Sequence, residues 1–225
     1  MMSTVSSVLL DILKKHGVKH IIGLPAAQIG LVMNGASRDQ YFSYVTTRHE
    51  EAAAHMAHAV ARVSDGMAVC FGTVGPGATN LIPGVAAAWA DNMPMLVVTA
   101  NNQSNTIHPE KDLLQCADHI AMFKPITKWS ACITDPARAP ELIERALYLA
   151  RSGRPGPVHL DIPCDIGAAP CNYDLESTPV MASPRPVPSA SQLAEVVDLI
   201  AAAKRPLLIA GGGVSRSRGV EALRG

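Results

Sequence analysis

The chain has 225 residues, is 48% hydrophobic but only 4% aromatic, and carries 19 basic against 19 acidic residues. That apolar content excludes a disordered chain, and the zero net charge excludes a partner held by long-range electrostatics, so neither nucleic acid nor an anionic membrane is expected. Charged residues are 17% of the chain, below the usual quarter, which predicts that part of the surface is covered by another subunit.

The chain opens with VSSVLLDILKKH (5–16), an amphipathic helix pattern. It carries Asp11 inside its apolar stretch and has no basic run before it, so it is not a signal peptide. The first strand, HIIGL (20–24), ends at Pro25 and Ala26, and helical spacing follows over 28–37. FSYVT (42–46) is the second strand, and Glu50 and Glu51 then open an Ala-rich helix over 50–63. MAVCFGT (67–73) runs into Gly75-Pro76-Gly77 and a helix over 78–90. MLVVTA (95–100), ITKWSACI (126–133) and PVHLDI (157–162) are further strands, with helices predicted over 111–122 and 136–151. Several strands are nearly continuous apolar runs, as expected where both faces of a parallel sheet are covered. The alternation predicts an α/β fold, a doubly wound parallel sheet with helices on both faces.

From residue 169 the texture changes. The segment 169–190 is rich in Pro and Ser without a period and reads as a linker. QLAEVVDLIAAAK and RPLLIAGGG then predict the first α-β unit of a second α/β domain over 191–225. One strand and one helix cannot close a core, so the sequence is expected to be the N-terminal part of a longer protein, with a first domain over 1–168.

Cys70, Cys116, Cys132, Cys164 and Cys171 are odd in number and include no Cys-x-x-Cys. A disulfide framework or zinc site is not expected, and a cytoplasmic location fits. No apolar run reaches the roughly 18 residues of a membrane span. His55 and His58 are three residues apart on one helix, a spacing that can ligate metal, but no third ligand is near in sequence. The two glutamates at the start of the 50–63 helix have two readings. Carboxylates in a first turn favour the positive end of the helix. Alternatively, one of them sits at the C-terminal edge of the sheet, where open α/β sheets bind ligands. Gly-Pro-Gly is a tight turn or a place where the backbone approaches a ligand; without Gly-Lys-Ser/Thr it is not a P-loop.

Taken in order, GLPA (23–26), RHEEAAAHMA (48–57), GTVGPGATN (72–80), NMPMLVVTA (92–100), QCADHIAMFKPITKWS (115–130) and GRPGPVHLDIP (153–163) resemble the pyrimidine-binding N-terminal domain of thiamine-diphosphate enzymes, specifically the acetolactate-synthase-like group. KRPLLIAGGGV resembles the start of that family's central domain. The resemblance implies that Glu50 is catalytic, contacting N1′ of the aminopyrimidine and favouring its imino tautomer. It implies cofactor contacts at Pro25, Ala26, Thr73, Gly75, Pro76, Gly77, Asn80 and Gln115, and a flavin contact at Arg154. The implied cofactors are thiamine diphosphate, Mg2+ and FAD. No metal ligand is expected within the chain, because the family's Gly-Asp-Gly…Asn motif is absent from these 225 residues and belongs to a C-terminal domain.

Some positions depart from the family pattern. Ala26 stands where a glycine is usual, and HAVAR where Asp-Gly-Tyr-Ala-Arg is common. HPEKD (108–112) lies near the place of the paired histidines of pyruvate-decarboxylase-like members, and Thr73 near that of the benzoylformate-decarboxylase-like histidine. These absences favour a carboligase acting on 2-oxoacids such as pyruvate over a simple decarboxylase, which needs such proton donors. A 2-oxoacid or oxalyl-CoA-type decarboxylase and a non-catalytic α/β module are the alternatives. The resemblance also implies a homodimer or homotetramer with the active site at the subunit interface.

Overall fold

The computed structural model describes residues 3–64, 66–107, 111, 113–176, 180–181 and 186–224. The chain forms two compact units, Met1–Ser183 and Pro184–Gly225.

In the first unit α1 (Val5–Lys15) starts at Thr4, whose hydroxyl accepts the Ser7 N–H in a reciprocal capping box. There follow β1 (His20–Gly23), α2 (Gly30–Arg38), β2 (Ser43–Thr46), α3 (Glu50–Val63), β3 (Ala68–Gly72), α4 (Pro76–Thr79), α5 (Ile82–Ala90) and β4 (Met95–Asn101). The unit continues with α6 (His119–Phe123), β5 (Ser130–Cys132), α7 (Ala139–Arg151), β6 (Pro157–Pro163) and α8 (Cys164–Ala168). The strands form one sheet in the order β2-β1-β3-β4-β6-β5, with every pairing parallel.

Side-chain alternation along the strands divides the core in two. Ile21, Val69, Phe71, Leu96, Val98, Val158 and Leu160 pack under α1, α2, α7 and α8. Ile22, Ala68, Cys70, Met95 and Val97 pack under α3 to α6. On the second face Gly84 of α5 lies so close to α3 that a Cβ there would meet the Ala54 Cβ at 2.5 Å.

All six strands predicted for the first domain form, and the differences from expectation there are local. The 78–90 helix is split into α4 and α5, because Pro83 enters the first turn of α5 and has no N–H to continue the ladder. The 111–122 helix is reduced to α6. Asp118 caps it by accepting the Ala121 N–H, and Gln115 stands at φ +64°. The predicted 126–133 strand shrinks to β5, an edge strand preceded by the Pro-containing 3-10 turn Lys124–Ile126.

The start of the predicted linker is bound to α1. Val5 N–H donates to the Ala169 carbonyl at 3.1 Å and Cys171 N–H to the Ser3 carbonyl at 2.9 Å. His16, at the end of α1, meets Glu144 of α7 at 2.6 Å and accepts from Arg151 at 3.1 Å, joining the two helices. In the second unit α9 (Ala190–Ala202) forms as predicted, capped by Ser189, and α10 (Gly212–Arg216) and α11 (Val220–Arg224) follow. RPLLIAGGG, predicted as a strand, pairs with no strand among the described residues. Its N–H and C=O groups have no neighbouring strand in this unit to meet.

A polar seam runs through the sheet at β4, β5 and β6. Thr99, Asn101, His159 and Asp161 are all buried, on the α6 side. Ser130 hydroxyl lies 2.8 Å from His159 Nδ1, His159 Nε2 lies 2.8 Å from Thr99 Oγ1, and Thr99 donates to Asp161 at 2.5 Å. Phe123 stacks on His159 with centroids 4.2 Å apart. Burial pushes the His159 imidazole down to about 3, against the opposing charge of the neighbouring Asp161.

His159 therefore stays neutral in the folded chain where it would be protonated in the unfolded one, so acid favours unfolding. The stability it carries is complete above the unfolded value of about 6.5 and is lost as pH falls toward 3. Urea unfolding at pH 5 should show about 2 kcal/mol less stability than at pH 7.5 from this residue. His159→Gln should remove that increment from the pH dependence.

Candidate functional site

The strand order reverses at β1. The chain leaves β1 for β2 on one side, by way of α2 on one face, and returns by way of α3 on the other face to place β3 on β1's opposite side. The loops leaving the carboxyl ends of β1 and β3 therefore part, and such a switch point is where open α/β sheets bind ligands. The β1 loop holds Pro25, exposed, and Ala26, half-buried against the core. The β3 loop holds Thr73, Gly75, Pro76 and Gly77. The loops are tied by Thr73 Oγ1, which donates to Gln28 Oε1 at 3.0 Å.

Glu50, the first residue of α3, follows β2 at the same edge. It is 5% exposed. The Glu51 side chain is 48% exposed, with His49 and His55 at 4.0 and 3.9 Å. Successive helical residues differ by about 100°, so one carboxylate turns inward and the other out. Asn80 Nδ2 donates to Glu50 Oε2 at 3.0 Å. Oε1 accepts no hydrogen bond among the described residues. It faces Gly77, where a Cβ would lie 3.2 Å from Oε1 and 2.6 Å from Thr73 Cγ2. Behind Glu50, Ala53, Ala54 and Ala57 are buried. Thr47, three residues earlier, buries its hydroxyl without a partner among the described residues.

The β3 loop is held tightly. Gly75 stands at φ +60° and ψ −107°, a conformation open to glycine but costly to any side chain. A Cβ there would collide with the Gln115 carbonyl oxygen. Gly75 N–H donates to His119 Nε2 at 2.9 Å, and Gly75 O accepts Thr79 N–H at 2.9 Å. His119 Nδ1 lies 2.8 Å from Asp161 Oδ1. Burial opposes the Asp161 charge, yet the hydrogen bonds it accepts from His119 and Asn101 hold its carboxyl below the usual range. Cys132 lies against the same carboxylate; burial first, and then Asp161, push its thiol up to about 12.

The structure thus groups Glu50, Thr73, Gly75, Pro76, Gly77, Asn80 and Gln115, with Pro25 and Ala26 on the adjoining loop. Arg154 stands apart. It precedes β6, at the amino edge of the sheet, where it donates to Asn92 and lies over the Trp89 ring at 5.9 Å. HPEKD falls outside the described residues at 108–110 and 112. His58 meets Asp91, which also accepts from Arg62, while His55 is exposed beside Glu51. No metal-holding cluster of three His, Cys, Asp or Glu exists among the described residues. The sequence reading missed His119, Asp161, Thr99, Asn101 and His159. Their signal was present: Thr99-x-Asn101 and His159-x-Asp161 put polar residues at period two inside otherwise apolar strands.

Chemically, the crevice offers a buried carboxylate with one oxygen fixed by Asn80 and the other lacking a partner among the described residues, beside backbone stripped of Cβ. Such a group can take a hydrogen bond, or a proton, from a ring nitrogen that approaches it. A doubly wound α/β domain with an acid at its switch point is a ligand-binding domain by architecture.

Residues 3–122 match the family "Thiamine pyrophosphate enzyme, N-terminal TPP binding domain". The chain belongs to that family. It is 38% identical over 227 residues to the acetolactate synthase large subunit of Parasynechococcus marenigrum, covering 97% of this chain and 36% of that protein. It is 37% identical over 225 residues to the probable acetolactate synthase large subunit of Methanocaldococcus jannaschii, covering 97% of this chain and 37% of that protein. It is 38% identical over 211 residues to the probable 2-ketoarginine decarboxylase AruI of Pseudomonas aeruginosa, covering 93% of this chain and 38% of that protein. The chain therefore spans between 36% and 38% of the length of these relatives.

Gly77→Ala should cost about 1–3 kcal/mol by overpacking against Thr73 and Glu50. Gly30→Ala, where a Cβ meets nothing within 4 Å, should be neutral or stabilising by up to about 1 kcal/mol. Urea unfolding of the two variants measures the difference.

Proposed function

We propose that this chain supplies the pyrimidine-binding half of a thiamine diphosphate site in a carboligase of acetolactate synthase type, acting on 2-oxoacids such as pyruvate. The observation that carries the proposal is Glu50: a carboxylate buried at the switch point, held through Oε2 by Asn80 and, among the described residues, without a partner on Oε1. A carboxylate is expensive to bury unless something uses its lone pairs, and the N–H of a protonated aminopyrimidine nitrogen suits the open one. The residues present fit the ring. Gly77 keeps the space beside Oε1 clear of a side chain, and the Ala53–Ala54–Ala57 surface keeps water from the back of the acid. Thiamine diphosphate, when bound, supplies a carbon nucleophile and an electron sink. Glu50 would hold or return a proton at Oε1, Asn80 would keep Oε2 from rotating into that role, and the Thr73–Gln28 bond would fix the crevice wall.

On this reading the diphosphate and its Mg2+ are held by residues outside these 225. A neighbouring subunit completes the site, in a homodimer or homotetramer. A flavin at Arg154 would occupy a separate place, since that side chain is engaged at the opposite edge. The location consistent with the free cysteines is the cytoplasm; the described residues contain no helix long and apolar enough to cross a membrane. The identity shared with a 2-ketoarginine decarboxylase supports a second reading, decarboxylation of a 2-oxoacid without ligation. Product balance separates them. The protein carrying this chain with downstream domains should release one CO2 for two pyruvates and no free aldehyde if it ligates, and one CO2 and one aldehyde per pyruvate if it does not.

Glu50→Gln in that protein should lower kcat by about 10²–10⁴-fold, the usual range for a lost proton-transfer group, with an unchanged melting temperature. Steady-state kinetics beside a thermal melt decide it, and full activity in Glu50→Gln sinks the assignment.

The 225-residue chain alone should bind the cofactor weakly. One charge-assisted hydrogen bond contributes about 1.5–3 kcal/mol and partial ring burial about 1–3 kcal/mol. Lost translation and rotation oppose them by at least about 4 kcal/mol. Titration calorimetry with thiamine diphosphate and Mg2+ should give a dissociation constant of about 1 mM or weaker. A micromolar value would mean that the chain holds a complete site.

A further inference from the structure

We propose that His119 and Asp161 are positioning residues for Glu50, a buried pair that holds Gly75 and, through it, the short helix that delivers Asn80 to the carboxylate. The inference rests on the reading of Glu50 given above, and nothing in that reading needs either residue.

Hydrogen-bond direction assigns every proton in the seam. Gly75 N–H can only donate, so His119 Nε2 accepts at 2.9 Å and must be bare. The neutral ring then carries its proton on Nδ1, which donates to Asp161 Oδ1 at 2.8 Å. Asp161 also accepts from Thr99 at 2.5 Å and from Asn101 Nδ2 at 2.6 Å. Thr99, having spent its proton, accepts from His159 Nε2, and His159 Nδ1 accepts from Ser130. One arrangement satisfies each donor and acceptor, with Asp161 ionised and both imidazoles neutral. The His119 and Asp161 side chains are 0% and 2% exposed, so water cannot substitute for a missing partner.

The pair reaches Glu50 through three connected contacts. Gly75 is the N-terminal cap of α4, and its carbonyl accepts the Thr79 N–H. Asn80 closes α4 and donates to Glu50 Oε2 at 3.0 Å. Gly77, on the same turn, approaches Oε1. If His119 presented an N–H to Gly75, two donors would face each other and the turn would have to move, taking both contacts with it.

The test uses the 225-residue chain with nitrogen-15 labelling. His119 Nε2 should resonate as a pyridine-type nitrogen and Nδ1 as a pyrrole-type one. His119→Gln keeps an acceptor for Gly75. His119→Phe fills the ring's space without one. Asp161→Leu removes the acceptor that holds the His119 Nδ1–H. In His119→Phe and Asp161→Leu, Gly75 amide exchange should rise about tenfold or more, the worth of one hydrogen bond, and the Asn80 side-chain amide resonances should shift. His119→Gln should stay close to the parent in both.

A proton found on His119 Nε2 in the parent overturns the proposal. So do unshifted Asn80 resonances in a folded His119→Phe or Asp161→Leu chain. Should either variant fail to fold, the parent tautomer still decides. In the protein with its downstream domains, His119→Phe should lower kcat by about tenfold to a hundredfold, as small misplacements do, with KM for pyruvate changed by less than about threefold and recovery in His119→Gln. Full turnover in Glu50→Gln would sink the function reading and leave the tautomer result standing. Loss of turnover in Glu50→Gln with full turnover in His119→Phe would sink this inference alone.

Discussion

Two carboxylates, Glu50 and Asp161, are buried at the carboxyl edge of one sheet, and much of the local structure exists to satisfy them. A buried charge needs partners or it unfolds its surroundings. The two cases are solved differently. Asp161 is surrounded by donors from β4 and α6, with the β5 thiol Cys132 against it. Among the described residues Glu50 has one side-chain donor, Asn80, and an oxygen left over. The saturated acid is structural, and the unsaturated one has capacity for a ligand.

The small residues around Glu50 follow from the same constraint. A helix that carries an acid into a protein must be backed by surfaces close enough to exclude water. The buried alanines of α3 let α5 approach until Gly84 touches Ala54. The low aromatic content is consistent with this: a core built from close helix–sheet layers leaves little room for large rings. Gly75 and Gly77 extend the logic to the backbone, one by a positive φ and the other by the gap that it leaves beside Oε1.

The six strands and their parallel pairing were legible because parallel strands buried on both faces are continuous apolar runs. That one of two successive glutamates would turn inward was legible, because residues that follow a strand and open a small-residue helix differ by about 100° in phase; that it is Glu50 came from the resemblance. What escaped was everything set by contacts distant in sequence. Nothing near Gln115 announces its positive φ, which follows from packing against Gly75, some forty residues earlier, and shortens α6. The split at Pro83 was readable from proline's missing N–H but was absorbed into one long helical pattern. The strand expected at RPLLIAGGG shows the opposite error. Local propensity there is strong, but a ladder requires a neighbour, and propensity carries no information about whether one exists. His159 and Asp161 sat in plain view inside PVHLDIP, where the apolar residues between them drew the reading toward a plain buried strand.

The two ends of the sheet divide the labour. Arg154, Trp89 and Asn92 meet at the amino edge, where strands begin and side chains serve mainly to tie loops together. At the carboxyl edge the loops leaving β1 and β3 part, because the chain reverses its direction of winding there. A crevice at this place is a consequence of topology and needs no residue to create it. Residue identity decides only what the crevice can do. Glycines at 75 and 77 let backbone approach, an asparagine at 80 orients the acid, and a histidine at 119 ties the turn to the rigid centre of the sheet. Anchoring that turn to β4 and β6, the most extensively paired strands in the sheet, makes the acid's position depend on the fold's stiffest part rather than on a loop's own preference. On the proposed function Glu50 handles a proton and must hold its place to within a fraction of an ångström, which a loop bonded only to itself would not provide.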